Sequence, residues 1–519
     1  MGGWWALATA ITLSAYPPIR LSAQTIDTVV VYNQNIFPEE LVDEFGFVAR
    51  AANALHIRTR ASVIRRTLLV GPGEAYDSAR VAESARALRA LGVFRFVAID
   101  TAALRGRKAL RVITADGWST KPQFGFTTAG GDETWEVGMV EENFLGFATT
   151  FVGIYRSTPD RRELELQYVS PHFLARHARL LLYYVNRSDG LRGAWRYGVP
   201  FYHTQARWSL TLEGDAADER VLIFRDGRID TTLTRRGFRV GLRGGVALHT
   251  TNREYTRLWI AGQWRREDYA AEDAATIPRS VFGAVGAGVE WRRVRFRVLQ
   301  QFNSYARQED VNLSQNLRLG VWVAPRGWGY APGRGGVGPE VQGQLSTVWR
   351  AGFAALRVSG NAIFGPLGLD SGRVRASVTV ADQNLPRQTW ILFAEGGVAE
   401  RPRPGGEFDL WSERSGPRLF GAHEFTGTRM AWGTLENRVL VADEFGGLLG
   451  VGLAPFLDWG GAWYADQEPR YGGNLGLAVR LGPTRSVRAE ATEIAVGYRF
   501  GEGWGSRRWA IAVRKGFLF

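Results

Sequence analysis

"TEIAVGYRF", residues 492–500, alternates without a break. Ile494, Val496, Tyr498 and Phe500 take one side; Glu493, Ala495, Gly497 and Arg499 take the other. Successive side chains of a β-strand point to opposite faces, so a period of two predicts a strand with one apolar face. "LRLGVWV" reads the same way: Leu317, Leu319, Val321 and Val323 share a face, and Arg318, Gly320 and Trp322 share the other. From residue 118 onward such segments recur, separated by Gly, Pro, Asp and Asn. A soluble sandwich would alternate too, but residues 118–519 are long for one sandwich, and their apolar rows often end in Trp, Tyr or Phe. The pattern fits a closed antiparallel barrel in an outer membrane, with lipid outside, polar or small residues inside and aromatic girdles at the interfaces. Closure is required because an unpaired strand edge in lipid leaves backbone groups unsatisfied. Periodicity sets an even number of strands between 16 and 20.

Composition narrows the function. The chain of 519 residues has no Cys, which excludes disulfides, thiolate metal sites and a cysteine nucleophile. The formal net charge is +13. Lys occurs only at Lys108, Lys121 and Lys515, and the arginines are scattered rather than clustered, so no nucleic-acid partner is expected. Residues 1–23 read as a signal peptide, with an apolar core from Trp4 to Tyr16 and a small-residue cleavage site at Leu21-Ser22-Ala23. The rest of the chain has no uncharged apolar run long enough for a transmembrane helix.

Residues 24–117 differ from the strand-rich remainder. "IDTVVVYNQ" (26–34) predicts a strand. "TRASVIRRTLL" (59–69) predicts a helix with Thr59 as N-cap. "SARVAESARALRALG" (78–92) predicts a second helix, capped by Asp77 or Ser78 and ended by Gly92. "FRFVAIDTA" and "ALRVITADG" are two strands around "LRGRK". The order is strand, helix, helix, strand, strand.

Chemistry-bearing motifs are sparse. His172 and His177 are five apart, a poor spacing for a shared metal, and no HExxH occurs. "GRGGVG" (333–338) matches a dinucleotide fingerprint literally, but "PEVQGQLSTV" comes next instead of a helix. Glu141 and Glu142 are adjacent and would face opposite sides of a strand. No enzyme activity, metal or cofactor is expected.

Residues 24–117 resemble a POTRA domain, the periplasmic module of the BamA/TamA outer-membrane assembly superfamily, in "VIRRTLLVGPGEAYDSARVAESARALRALGVFRFVAID". The barrel resembles that superfamily at both ends. "EVGMVEENFLGFATTFVGIY" is similar to its second and third strands, and "ELELQYVSPHF" to its fourth. The segments 435–442, 449–458, 473–481, 492–500 and 508–519 match the five strands after its sixth extracellular loop. The resemblance makes 16 strands the expected number. It implies one periplasmic POTRA domain and an outer-membrane barrel that inserts or translocates polypeptides. The implied partners are unfolded outer-membrane proteins or secreted polypeptides, outer-membrane lipid and accessory periplasmic proteins. A passive channel or a dedicated secretion pore is the competing reading.

The resemblance also directs attention to "PRLFGAHEFTGTRMAWGTLENRVL" (417–440). In the family this loop folds back into the lumen, where an Arg-Gly-aromatic motif reaches an Asp two strands on. Here Asp458 and the Glu-x-Arg pair Glu436/Arg438 match the pattern, but Phe420, before Gly421, stands at the Arg position. A carboxylate inside a barrel needs a partner, and Arg offers a planar fork. Arg418 and Arg429 are the candidates, with Arg429 favoured because it comes after the flexible Gly427; Glu424 lies between them. Lateral opening is expected where the first strand (about 122–130) meets the last (508–519), weakened by Gly125 and Gly516. Phe517 and Phe519 resemble the family's C-terminal signal.

Overall fold

The computed structural model describes residues 25–515 except 38, 105, 130–131, 272–276, 306–308, 330–334, 412–415, 447, 485–490 and 503–507. The expected signal peptide, Gly516, Phe517 and Phe519 lie outside the described residues.

Within residues 25–117, β1 (Thr28–Gln34) lies parallel to β3 (Arg107–Asp116), which pairs antiparallel with β2 (Phe94–Leu104), giving the sheet order β1-β3-β2. Three helices accompany the sheet: α1 (Glu39–Leu55), α2 (Ala61–Thr67) and α3 (Ser78–Ala90). Asp77 caps α3 by accepting hydrogen bonds from the Ala79 and Arg80 amides at 2.8 and 3.2 Å. Thr59 does not cap α2; Arg60 holds that position, and the Thr59 amide and hydroxyl both donate to Asp116. Helix α1 was not expected. Gly46 breaks its regularity with a positive φ, and its Ala49 and Ala52 pack with the preceding Ile36 and Phe37 as a small cluster.

Twenty strands then close an antiparallel barrel, from Thr120–Ala129 to Trp509–Lys515. The number is 20, the upper end of the range that periodicity set and four more than the 16 that the resemblance suggested. The alternating segments between residues 254 and 400 stay separate. Each forms a full barrel strand: Glu254–Ala271, Ile277–Arg293, Gln315–Ala324, Gly336–Val348, Gly352–Gly365, Gly368–Asp382 and Gln388–Glu400. Four extra strands make two extra hairpins, so the loop 401–428 is the eighth rather than the sixth connection at its end of the barrel. Five strands still come after it.

Burial explains the alternation. In Thr492–Gly501, Ile494, Val496, Tyr498 and Phe500 are 38–43% exposed, whereas Glu493, Ala495 and Arg499 are fully buried. The apolar row faces out and the charged row faces the lumen, the reverse of a soluble protein and the arrangement lipid demands. The tallest wall is Trp208–Arg225, Arg228–Thr250, Glu254–Ala271 and Ile277–Arg293, with strands of 17–23 residues. About 10 residues suffice to span a bilayer. At its far end this wall meets the loop 401–428: Arg403 reaches Glu267, and Thr426 donates to the Phe224 carbonyl at 3.0 Å.

The small α/β unit sits against the opposite end. Asn143 of one barrel turn donates to the Ile57 carbonyl, His172 of the next contacts Thr67, and Thr204 donates to Glu83. Arg89 forks onto Asp310 at 2.6 and 3.0 Å.

Candidate functional site

The loop 401–428 enters the lumen and is held there by buried charge. Pro417 and Gly416 bring the chain down so that Arg418, 1% exposed, points at two neighbouring strands. Its Nε lies 3.3 Å from Asp458 Oδ2, and its backbone amide donates to the same oxygen at 2.9 Å. Its Nη2 donates to Glu436 Oε2 and to Thr434 Oγ1, both at 2.9 Å, and the guanidinium stacks 4.2 Å from the Phe456 ring centroid. Glu436 and Asp458 come together because they sit on adjacent lumen-facing rows: Thr434 is the cross-strand partner of Asp458. Burial alone would lower the Arg418 pKa, but Asp458 and Glu436 outweigh it and hold the group above its ordinary value, so the guanidinium stays charged.

The cluster extends toward the other end. Arg438 Nε donates to Glu436 Oε1 at 2.8 Å. Beyond it Arg480 pairs with Glu493 at 3.2 Å, and Arg514 of the last strand lies 3.9 Å from the same carboxylate. Such buried pairs seldom add net stability, yet breaking one by removing a single partner is costly. The array therefore fixes where the loop sits.

Arg418, not the favoured Arg429, is the partner of Asp458. Arg429 begins the strand Arg429–Phe445 and pairs with Glu400, on the opposite edge. Residue order misled here: Gly427 precedes Arg429, but its Cβ would stand 2.1 Å from the Trp463 backbone, so it is a close-packing position and not a flexible arm. Phe420 is fully buried beside Phe425 and packs with Phe393, Phe408 and Trp432. The preceding Leu419 fills a pocket of alanines on the last strands, Ala478, Ala495, Ala510 and Ala512 among them. Apolar packing thus occupies the position where an Arg was looked for, two residues from the Arg that makes the ion pairs. Glu424 accepts from the Gly421 amide at 2.8 Å and lies 3.7 Å from Arg499. Gly125 sits in the first strand opposite Glu136.

Two groups were not anticipated. His423 is clamped between Asp160 and Asp409 at 2.8 and 2.9 Å and stacks 3.5 Å from Phe224. Burial lowers its pKa, but the two carboxylates dominate and raise it to about 9. In the segment 294–314, joining Ile277–Arg293 to Gln315–Ala324, the described residues form a hairpin of Phe296–Leu299 with Glu309–Asn312. It enters the lumen from the end where the small unit sits, and its Phe302 carbonyl accepts from Arg438. The loop and the hairpin thus reach one charged cluster from opposite ends.

The first and last strands pair antiparallel and close the barrel. Among the described residues, Ile511 pairs with Thr128, Ala512 with Thr127 and Val513 with Phe126. The other edge of the first strand is paired throughout, from Thr120↔Glu141 to Ala129↔Asp132.

The chain is similar in structure to BamA and to CdiB. BamA from Haemophilus ducreyi lacking POTRA domains 1–3 matches at 13% identity and a TM-score of 0.42, over 95% of this chain and 85% of that one. CdiB from Escherichia coli matches at 12% and 0.46 (98% and 92%), and CdiB from Acinetobacter baumannii at 10% and 0.42 (95% and 90%). No family model and no curated protein matches the sequence.

Proposed function

We propose that this protein is an outer-membrane barrel that opens at the junction of its first and last strands to insert or export polypeptides, with residues 24–117 as a POTRA-like receptor in the periplasm. The junction carries the reading: among the described residues three pairs join the first strand to the last, and the lumenal loop rests on it. Each strand pairing in lipid must be replaced when broken, so a seam of few pairs is the easiest place to part the wall. The lumenal loop bears on that seam: Leu419 packs against Ala510 and Ala512, and Arg514 donates to the Gly416 carbonyl at 3.4 Å, both on the last strand. Arg418 and Asp458 act as the latch that seats the loop. The edge of a small sheet can accept an extended segment by main-chain hydrogen bonds, an affinity tolerant of sequence.

The test is the insertion of an unfolded barrel substrate into proteoliposomes, with the seam locked or free. The chain lacks Cys, so Thr127→Cys with Ala512→Cys places a single disulfide across the junction. Insertion should exceed that in empty liposomes, stop on oxidation and return on reduction; deletion of residues 24–117 should slow it. Acceleration that persists in the locked barrel would overturn lateral opening. No acceleration at all, with large steady conductance in planar bilayers, would favour a passive channel.

A further inference from the structure

The hairpin 294–314 occupies its place in an unusual way: the lumen reads its main chain. Arg438 donates to the Phe302 carbonyl, and Arg480 Nη2 donates to the next carbonyl, Asn303, at 3.2 Å. Both guanidiniums belong to the barrel wall and are 4% exposed. Two aromatic side chains flank these carbonyls. Phe302, fully buried, packs 5.7 Å from Phe353 and against Ala355, Ala381 and Ile391 of the wall. Tyr305 lies in a cradle of glycines. A Cβ on Gly450, Gly452 or Gly482 would stand 2.3, 2.6 or 2.8 Å from Tyr305 atoms, so only glycine leaves room for the ring. Its hydroxyl donates to the Arg480 carbonyl at 3.0 Å. A cavity of about 180 Å³ adjoins Tyr305, Arg438 and Arg480 and continues past Gln383 and Thr389. Glu309 accepts from the Phe302, Asn303 and Ser304 amides at 2.8, 2.9 and 3.2 Å, which shapes the segment into the form the wall receives.

Carbonyl recognition does not depend on side-chain identity, and the two pockets each take an aromatic ring. We propose that Arg438, Arg480 and the glycine cradle form a binding site for a passenger polypeptide carrying two aromatic residues three positions apart, and that Phe302–Tyr305 fills this site in cis until a passenger displaces it. The proposal rests on the reading of the barrel as a handler of polypeptides and names the chemistry that reading lacks. Arg89, forked onto Asp310, ties the hairpin's second strand to the small unit.

The probe is a fluorescein-labelled peptide of residues 300–310, "QQFNSYARQED", followed by anisotropy against the detergent-solubilised full chain. In the variant Phe302→Ala/Tyr305→Ala the site is vacated, and the peptide should bind at least about tenfold tighter than to the unaltered chain, the effect of exposing two aromatic pockets. A peptide with both aromatics replaced by Ala should lose about tenfold or more. Gly482→Val, added to the vacated chain, should abolish binding by filling the cradle. Unfolded barrel substrate should compete. Equal binding to vacated and unaltered chains, or no binding by a vacated chain that keeps its heat-modifiable gel mobility, would overturn the site. Where the double variant lacks that mobility, Tyr305→Ala alone serves with the same outcomes. Peptide binding without competition would overturn the passenger assignment. Seam locking is read by insertion and this site by anisotropy, so either can fail without the other.

Discussion

Arg418→Ala separates the loop's seat from the barrel's stability. Arg418 faces two carboxylates, but they are not equally dependent on it. Glu436 keeps Arg438 at 2.8 Å, whereas Asp458, 1% exposed, has Arg418 as its cation within the ion-pair distance among the described residues. The substitution therefore leaves one buried charge without its partner, a loss of roughly 3–5 kcal/mol in such settings. The strand ladder is untouched, so the cost falls on loop seating. The unseated population should rise by about two to four decades. Limited proteolysis of 401–428 in the intact barrel reads this, with heat-modifiable mobility as the check that the barrel persists. Asp458→Asn in the same chain removes the orphaned charge and should recover a large part of the protection. If Arg418→Ala cleaves no faster than the unaltered loop, or if Asp458→Asn adds to its effect instead of reversing it, Asp458 is not held by Arg418 and the latch argument fails.

Two further outcomes test the loop's other attachments. The His423 pKa is raised from 6.5 to about 9, so its contribution to seating is complete below pH 6.5 and fades as pH rises through 9. Cleavage of the loop should accelerate between pH 8 and 10, and His423→Phe, which keeps the stack on Phe224, should flatten that dependence. Gly427→Val would drive a side chain into the Trp463 backbone and should cost about 1–3 kcal/mol at the loop's root, seen as faster cleavage at neutral pH.

Much of the barrel was legible in the chain, and the reasons are physical. A lumen-and-lipid wall imposes period two on every strand, so segments such as 492–500 declare both their conformation and their faces. The last five strands were placed in order, with the described ends within six residues of those expected. The strand number was drawn toward 16 by family resemblance, although the alternation in 254–400 was itself the better guide. Helix α1 was missed because Gly46 interrupts its pattern. Asp458, Glu436 and Arg438 stood out through their resemblance to the family's loop pattern. The choice between Arg418 and Arg429 could not be made from spacing, since it depends on which way a loop folds after Pro417. The hairpin 294–314 had no sequence signature: its hold on the lumen runs through main-chain carbonyls, which every residue carries. His423 is a lone histidine whose partners lie in Asp160 and Asp409, and only folding brings them together.

The strand number has a consequence for the cell. A barrel's diameter grows roughly in proportion to its strands, so 20 strands enclose about half again the cross-section of 16. One loop that suffices as a stopper in the narrower ring leaves a gap in the wider one, and an unplugged gap leaks solutes down every gradient across the envelope. Two inserts, one from each side and joined through Glu436, which holds Arg418 of the loop and the Arg438 that reaches the hairpin, narrow the wider ring from both ends. Their joint also means that neither can leave unnoticed by the other: withdrawing the hairpin removes acceptors from Arg438 and Arg480, and so alters the bed on which the opposite stopper rests.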